Sequence, residues 1–165
     1  MIRFLIIVII VLGYLIIGIP VLLIEWIIGK FNRKFKDYSS LRLVQGAFKL
    51  IMFAAGTKLT VIGEENVPKD RAVLYVGNHR SYFDVVMTYA RCPRLTGYIA
   101  KVEMLRYPLL RDWMKALYCL FLDRDDIKAG LKTILQGIEY IKNGISICIF
   151  PEGTRNHSDT MMPFK

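Results

Sequence analysis

Cysteine is scarce in this 165-residue chain, with Cys92, Cys119 and Cys148 the only three. They are odd in number, widely spaced and form no C-x-x-C pair, which excludes a disulfide framework and a zinc site. Cys119 and Cys148 sit inside apolar runs and read as small buried hydrophobes of a reducing compartment. Histidine is scarcer still, at two residues, and His157 stands alone in a polar tail with no role assigned to it. Acids are in deficit, 14 against 23 lysines and arginines, for a formal net charge of +9. Such a balance calls for an anionic partner. The chain has no zinc-knuckle, RNP-like or recognition-helix signature, so nucleic acid gives way to acidic lipid or a phosphate-bearing substrate. Internal repeats and low-complexity tracts are absent too, leaving one domain by length.

Hydrophobicity is what the chain has in excess: 54% of residues are apolar, concentrated near the N-terminus. No charge occurs from Phe4 to Ile24. As a helix this run covers about 31 Å, enough for a bilayer core. A cleaved signal peptide has a shorter apolar region of roughly 7–15 residues and a small-residue cleavage site. Here Glu25, Trp26 and a basic stretch come next instead, so the segment reads as an uncleaved anchor. Pro20, after Gly13 and Gly18, leaves open whether the helix crosses or kinks and re-enters. Arg3 alone precedes the run, whereas Lys30, Arg33, Lys34 and Lys36 lie just after it. The positive-inside rule places the C-terminal side of the run in the cytoplasm. A second stretch, Leu41–Ala55, carries Leu43, Val44, Phe48, Ile51 and Met52 at helical spacing, with Ser39 or Ser40 as its expected cap. It is either a core helix or one lying in the membrane interface. Residues 1–58 therefore form an anchor and interfacial helix, a membrane helix pair, and 59–165 a globular domain.

In the globular part, Ala72–Val76, Leu95–Ala100, Tyr118–Leu122 and Ile145–Phe150 read as buried strands. Helical patterns at Asp84–Ala90, Val102–Leu117 and Asp126–Asn143 separate them, the last ended by Gly144 at C′. This alternation predicts an α/β fold with a largely parallel sheet and flanking helices. Polar residues gather just past each strand: Asn78-His79, Lys101, Asp123-Arg124 and Pro151 to Arg155. In open α/β sheets ligands bind at the carboxyl ends of strands, so four segments converge on one expected site.

A histidine near neutral pKa takes a proton from a hydroxyl and later returns it, and a carboxylate on its other ring nitrogen fixes the tautomer. His79 and Asp84 fit these roles only if His79 lies in a turn and Asp84 in the first helical turn. Ser81-x-x-Asp84 fits a capping box equally well, so spacing alone leaves both readings standing. No serine or cysteine stands in a nucleophile elbow, which favours direct transfer to a substrate hydroxyl. In Phe150-Pro151-Glu152-Gly153-Thr154-Arg155, Gly153 lets backbone approach a ligand and Arg155 suits bidentate phosphate binding. Glu152 holds Arg155 or accepts from a substrate hydroxyl. Lys101 and Arg124 add cations at neighbouring strand ends.

Together these residues resemble the glycerolipid acyltransferase superfamily, and most closely its 1-acyl-glycerol-3-phosphate acyltransferases. The family's N-H-x-x-x-x-D, F-x-x-R and F-P-E-G-T-R blocks read here as Asn78-His79 to Asp84, Phe121 to Arg124 and Phe150 to Arg155, with Lys101-Val102-Glu103 as the intervening K-x-E element. The resemblance implies that His79 deprotonates the free glycerol hydroxyl for attack on an acyl thioester while Asp84 orients it. It implies that Lys101, Arg124 and Arg155 bind the acceptor phosphate, with Glu152, Gly153 and Thr154 shaping that pocket. The implied donor is acyl-CoA or acyl carrier protein, and neither metal nor other cofactor is expected. Family members run on past the E-G-T-R block, so the domain is expected to be incomplete at its C-terminal end. Other acceptors, a hydrolase, and a non-catalytic lipid-binding protein are the competing expectations.

Overall fold

The structure is a computed structural model that describes residues 1–164. Helices α1 (Ile2–Phe31) and α2 (Arg33–Ala55) form an antiparallel hairpin. The α/β part comes next as β1 (Leu74–Val76), α3 (Tyr82–Tyr89), β2 (Thr96–Lys101), α4 (Pro108–Ala116), β3 (Leu120–Leu122), α5 (Ile127–Lys142) and β4 (Ser146–Ile149). Short 3₁₀ turns occupy Glu64–Asn66 and Val102–Arg106.

The four strands form one sheet in the order β1-β4-β2-β3, with every neighbouring pair parallel. All strand carboxyl ends therefore lie on one edge. Right-handed crossovers put α3 and α4 on one face and send α5 back across the other. Successive residues of β4 record this: Cys148 joins the core with Leu41, Tyr98 and Trp113, whereas Ile147 lies against Gly137 of α5. The main core is built between the α3/α4 face and α2, through Leu41, Val44, Tyr89, Tyr98, Trp113 and Leu117.

Two expected helix boundaries move. The helix expected over Val102–Leu117 divides, because Pro108 disfavours helical dihedrals at the preceding residue; Tyr107 sits at φ −104°, ψ 92°. Pro108 instead opens α4 at the first-turn position where its missing N–H costs nothing. The second helix starts at Arg33, not near Leu41, and its cap is Asn32, not Ser39 or Ser40. The Asn32 side chain accepts from the Phe35 N–H at 2.9 Å, and Ser40 is buried within the helix. Apolar spacing marks only the stretch of α2 that reaches the core, while charged helix formers extend it outward. The expected end of the last long helix matches: Gly144, at φ 83°, comes directly after the cap Asn143.

The hairpin is fastened to the domain along its length. Gly18 of α1 lies so close to the Trp113 indole that a Cβ there meets Nε1 at 2.6 Å. Tyr14 packs on the same indole at 5.1 Å between ring centroids. Near the hairpin corner, Tyr118 Oη donates to buried Asp37 at 2.5 Å and accepts from Arg33 Nε at 3.2 Å. Lys36 reaches both Asp37 (3.2 Å) and the Ala116 carbonyl (2.9 Å). The α1 face turned away from the domain stays apolar and exposed, through Leu5, Ile9, Leu12, Ile16, Ile19 and Leu23. By length and composition α1 is able to cross a membrane.

Candidate active site

Strands β1 and β4 are neighbours, and the Gly77 N–H extends their ladder by donating to the Ile149 carbonyl at 3.2 Å. The loops leaving the two strands therefore start side by side. The β1 loop carries His79 and the β4 loop carries Phe150 to Arg155. The Phe150 ring stacks on the His79 imidazole, with centroids 4.4 Å apart and planes 14° from parallel. From the far end of the β4 loop, the Asn156 N–H donates to the His79 carbonyl at 2.6 Å. His79 is thus held by its ring face and by its backbone.

Its ring nitrogen is held as well. His79 Nδ1 lies 3.0 Å from Asp84 Oδ2. That oxygen also accepts from the Arg80 N–H (2.6 Å) and the Ser81 N–H (2.7 Å). Ser81 caps α3 by accepting from the Phe83 N–H at 3.1 Å, and the capping box is complete. One carboxylate makes both the capping-box contact and the contact with the imidazole. Asp84 sits at N3 of α3, curls back to the N-cap, and from there reaches the imidazole. Two backbone donors fix that oxygen in place beside the imidazole. With an acceptor on Nδ1, the histidine carries its proton there and leaves Nε2 as the free base.

Three cations stand just past strand carboxyl ends on this edge of the sheet. Arg124, just past β3, lays its guanidinium against Gly153, where any Cβ meets Nη1 and Nη2. Gly153 also takes φ 68°, a region disfavoured for side-chain-bearing residues. Arg155 stands over the Tyr82 ring at 4.0 Å. Both arginines are exposed, and among the described residues neither is paired with a carboxylate. Thr154, half-buried, lies between them in sequence. Lys101 ends β2 on the same sheet edge, also exposed and without a carboxylate partner among the described residues.

Glu152 turns inward, 1% exposed. Its Oε2 accepts from Asn156 Nδ2 at 2.6 Å and from the Met162 N–H at 2.9 Å. It therefore meets neither Arg155 nor solvent; it pins the loop that supports the histidine. Phe150, Asn156 and Tyr82 are residues that sequence reasoning gave no role at the site. Only Phe150 carried a signal, as the first letter of the F-P-E-G-T-R block.

Behind the His79–Asp84 pair opens a cavity of about 680 Å³ that starts at Gly77, Asn78 and Asp84. Met87, Tyr98, Cys148 and Phe150 are among its lining residues, together with the charged Glu64, Lys69 and Arg91. Burial pushes the Cys148 thiol up to about 12 and raises the Cys92 thiol and the Tyr98 phenol. These groups stay neutral near pH 7.

With this geometry in view, the chain matches the family model described as Acyltransferase over residues 58–165. It is 32% identical over 126 residues to the 1-acyl-sn-glycerol-3-phosphate acyltransferase of Borreliella burgdorferi, covering 74% of this chain and 49% of that protein. It is 35% identical over 121 residues to a probable 1-acyl-sn-glycerol-3-phosphate acyltransferase of Mycoplasma pneumoniae, covering 70% and 45% respectively. The chain thus spans about half the length of these curated relatives. Among solved structures it is similar to the 1-acyl-sn-glycerophosphate acyltransferase PlsC of Thermotoga maritima, with a TM-score of 0.82 and 26% identity, covering 99% of this chain and 65% of that one.

Proposed function

Because the chain belongs to the Acyltransferase family, we propose that it transfers an acyl chain from a thioester to the free hydroxyl of 1-acyl-glycerol-3-phosphate, giving phosphatidic acid. The observation that carries the reading is the His79–Asp84 contact at 3.0 Å, set beside two arginines that lack carboxylate partners among the described residues. His79 Nε2 takes the proton of the acceptor hydroxyl as its oxygen attacks the thioester carbonyl. A C–O bond forms, the C–S bond breaks, and the proton passes from His79 to the departing thiolate. Asp84 stabilises the imidazolium in between. Arg124 and Arg155, with Lys101 along the edge, grip the acceptor phosphate. Acyl-CoA or acyl carrier protein supplies the thioester, and the cavity beside Asp84, of ordinary size for a small-molecule pocket, receives an acyl chain.

The hairpin brings this site to lipid. Were α1 to cross the bilayer with Phe4–Ile24 in the core, Tyr14 would lie near the midplane and carry Trp113 with it. Arg111, Asp112 and Lys115 flank that indole on α4, and each charge costs roughly 2.5–3.5 kcal/mol at such depth. The reading supported best is therefore a helix lying in one leaflet, its exposed apolar face toward the acyl chains and its basic corner at the cytoplasmic headgroups.

The test supplies acyl-CoA and 1-acyl-glycerol-3-phosphate to membranes holding the chain or its His79→Ala variant and tracks products by mass spectrometry. Phosphatidic acid from the parent alone is expected. Equal product from the variant would overturn the mechanism, and free fatty acid formed without acceptor would reassign the chain to hydrolysis.

A further inference from the structure

Glu25 is anomalous in α1. It comes directly after the uncharged run, yet it is 4% exposed and among the described residues its Oε2 has no hydrogen-bond partner. A buried carboxylate left unpaired is costly and asks for a partner. Beside it, at the hairpin corner, lies a cavity of about 290 Å³ lined by Glu25, Trp26, Gly29, Lys30, Arg33 and Lys36. Three cations line the same space, yet among the described residues none pairs with Glu25. Each is held elsewhere. The Lys30 ammonium sits over the Trp26 ring at 3.6 Å. Arg33 gives its Nε to Tyr118. Lys36 is committed to Asp37 and the Ala116 carbonyl. The cavity is therefore lined by one carboxyl group and three cationic side chains that do not pair with it, complementary to a ligand that carries both signs.

We propose that the α1–α2 corner binds the headgroup of a zwitterionic, amine-bearing phospholipid of the phosphoethanolamine type, outside the acyl-transfer site. Lys30 and the terminal nitrogens of Arg33, which its bond to Tyr118 leaves free, receive the phosphate. The primary ammonium donates to Glu25. A quaternary amine has no N–H to give, and a glycerol headgroup has no positive charge, so Glu25 discriminates against both. Exposed Leu23, Ile24, Ile27 and Phe31 near the corner provide an apolar surface for the tails, which argues for a lipid over a free zwitterion. The inference rests on the membrane-surface reading of the hairpin, and not on the identity of the acyl acceptor.

The test uses the full chain in maltoside detergent, titrated with dihexanoyl phosphatidylethanolamine, phosphatidylcholine and phosphatidylglycerol while tryptophan emission, from Trp26 at the corner and Trp113 in the core, is monitored. The ethanolamine lipid is expected to bind roughly ten-fold tighter than the other two, the value of one charge-assisted hydrogen bond. Glu25→Gln abolishes that preference, and Lys30→Ala weakens the ethanolamine and choline lipids alike. Equal affinity for the three headgroups overturns the proposal, as does a preference that survives Glu25→Gln. If Glu25→Gln does not fold, an unchanged affinity in Lys30→Ala overturns it instead. Phosphatidic acid formation is assayed on the same preparations, so failure of the corner site and failure of the acyl-transfer reading give different results.

Discussion

At the residue scale, Asp84 does two jobs with one oxygen, and they separate in a single variant. Asp84→Asn keeps the shape but replaces the acceptor on Nδ1 with a group able to present an amide donor, so the imidazole loses its tautomer. In a comparable hydrolytic triad the same change lowers kcat by about 10⁴. A fall of roughly 10³–10⁴ in kcat with little change in KM is expected here, and steady-state kinetics on both substrates checks it. The weakened cap adds about 1 kcal/mol of lost stability, read separately by thermal melting. A purely structural Asp84 would move the melt and leave kcat per folded molecule intact. Burial of Cys148 gives a second residue-level expectation. Its thiol is raised from an ordinary 9.0 to about 12. Above pH 9 the unfolded chain loses this proton while the folded chain keeps it. The contribution is complete below pH 9 and is lost as pH rises toward 12, at up to about 1.4 kcal/mol per pH unit. Cys148→Ala should flatten the alkaline fall of the urea midpoint. Parallel slopes in the two proteins would show that the thiol does not titrate in this way. The sequence disclosed the His79/Asp84 pair because cap and orienting carboxylate demand the same local geometry. It hid Phe150 against the imidazole and the Asn156 N–H on the His79 carbonyl, because those contacts exist only once β1 and β4 are neighbours.

At the scale of elements, short apolar runs located all four strands and helical periodicity the last long helix, since the strands pair within the sheet and the helix presents an apolar face to it. Periodicity failed where dihedral chemistry outranks pattern. Pro108 interrupts a helix whose apolar spacing runs on past it, and Asn32 starts a helix whose first two turns are charged. Long-range polar contacts left no trace in local pattern either. Tyr118 takes φ 62°, a conformation that costs about 1–2 kcal/mol for a residue with a side chain. It is held there by its hydroxyl between Asp37 and Arg33 and by its edge-on ring contact with Tyr140 at 5.3 Å. Tyr118→Phe keeps the ring and removes the link between α2 and the start of β3. It leaves Asp37, 6% exposed, with Lys36 as its remaining charged partner. A loss of about 1.5–3 kcal/mol is expected, measured by chemical unfolding in detergent. A change within experimental scatter would mean that the hydroxyl contributes nothing to the junction.

At the scale of the whole molecule, the chain is a helical hairpin with one strongly apolar helix, joined to an α/β domain. α1 does not hang free: Gly18 and Tyr14 are seated on Trp113, so helix and domain tilt together. A crossing helix and a helix lying in the leaflet predict different depth profiles. In a crossing helix, probes at Leu5 and Leu23 sit shallow and a probe at Leu12 sits near the bilayer centre. In the seated helix all three share one exposed face, and their depths are equal, about 5–10 Å below the headgroup boundary. Single cysteines at these positions, labelled with a fluorophore and quenched by brominated lipids, read that profile directly. The native thiols interfere little, because burial raises Cys92, Cys119 to about 11 and Cys148 to about 12, which leaves them protonated and slow near neutral pH. Equal quenching depths are the expected result. A deep minimum at Leu12 would require Trp113 and its charged neighbours to leave α1 on insertion, and the seat at Gly18 would then describe only the chain away from lipid.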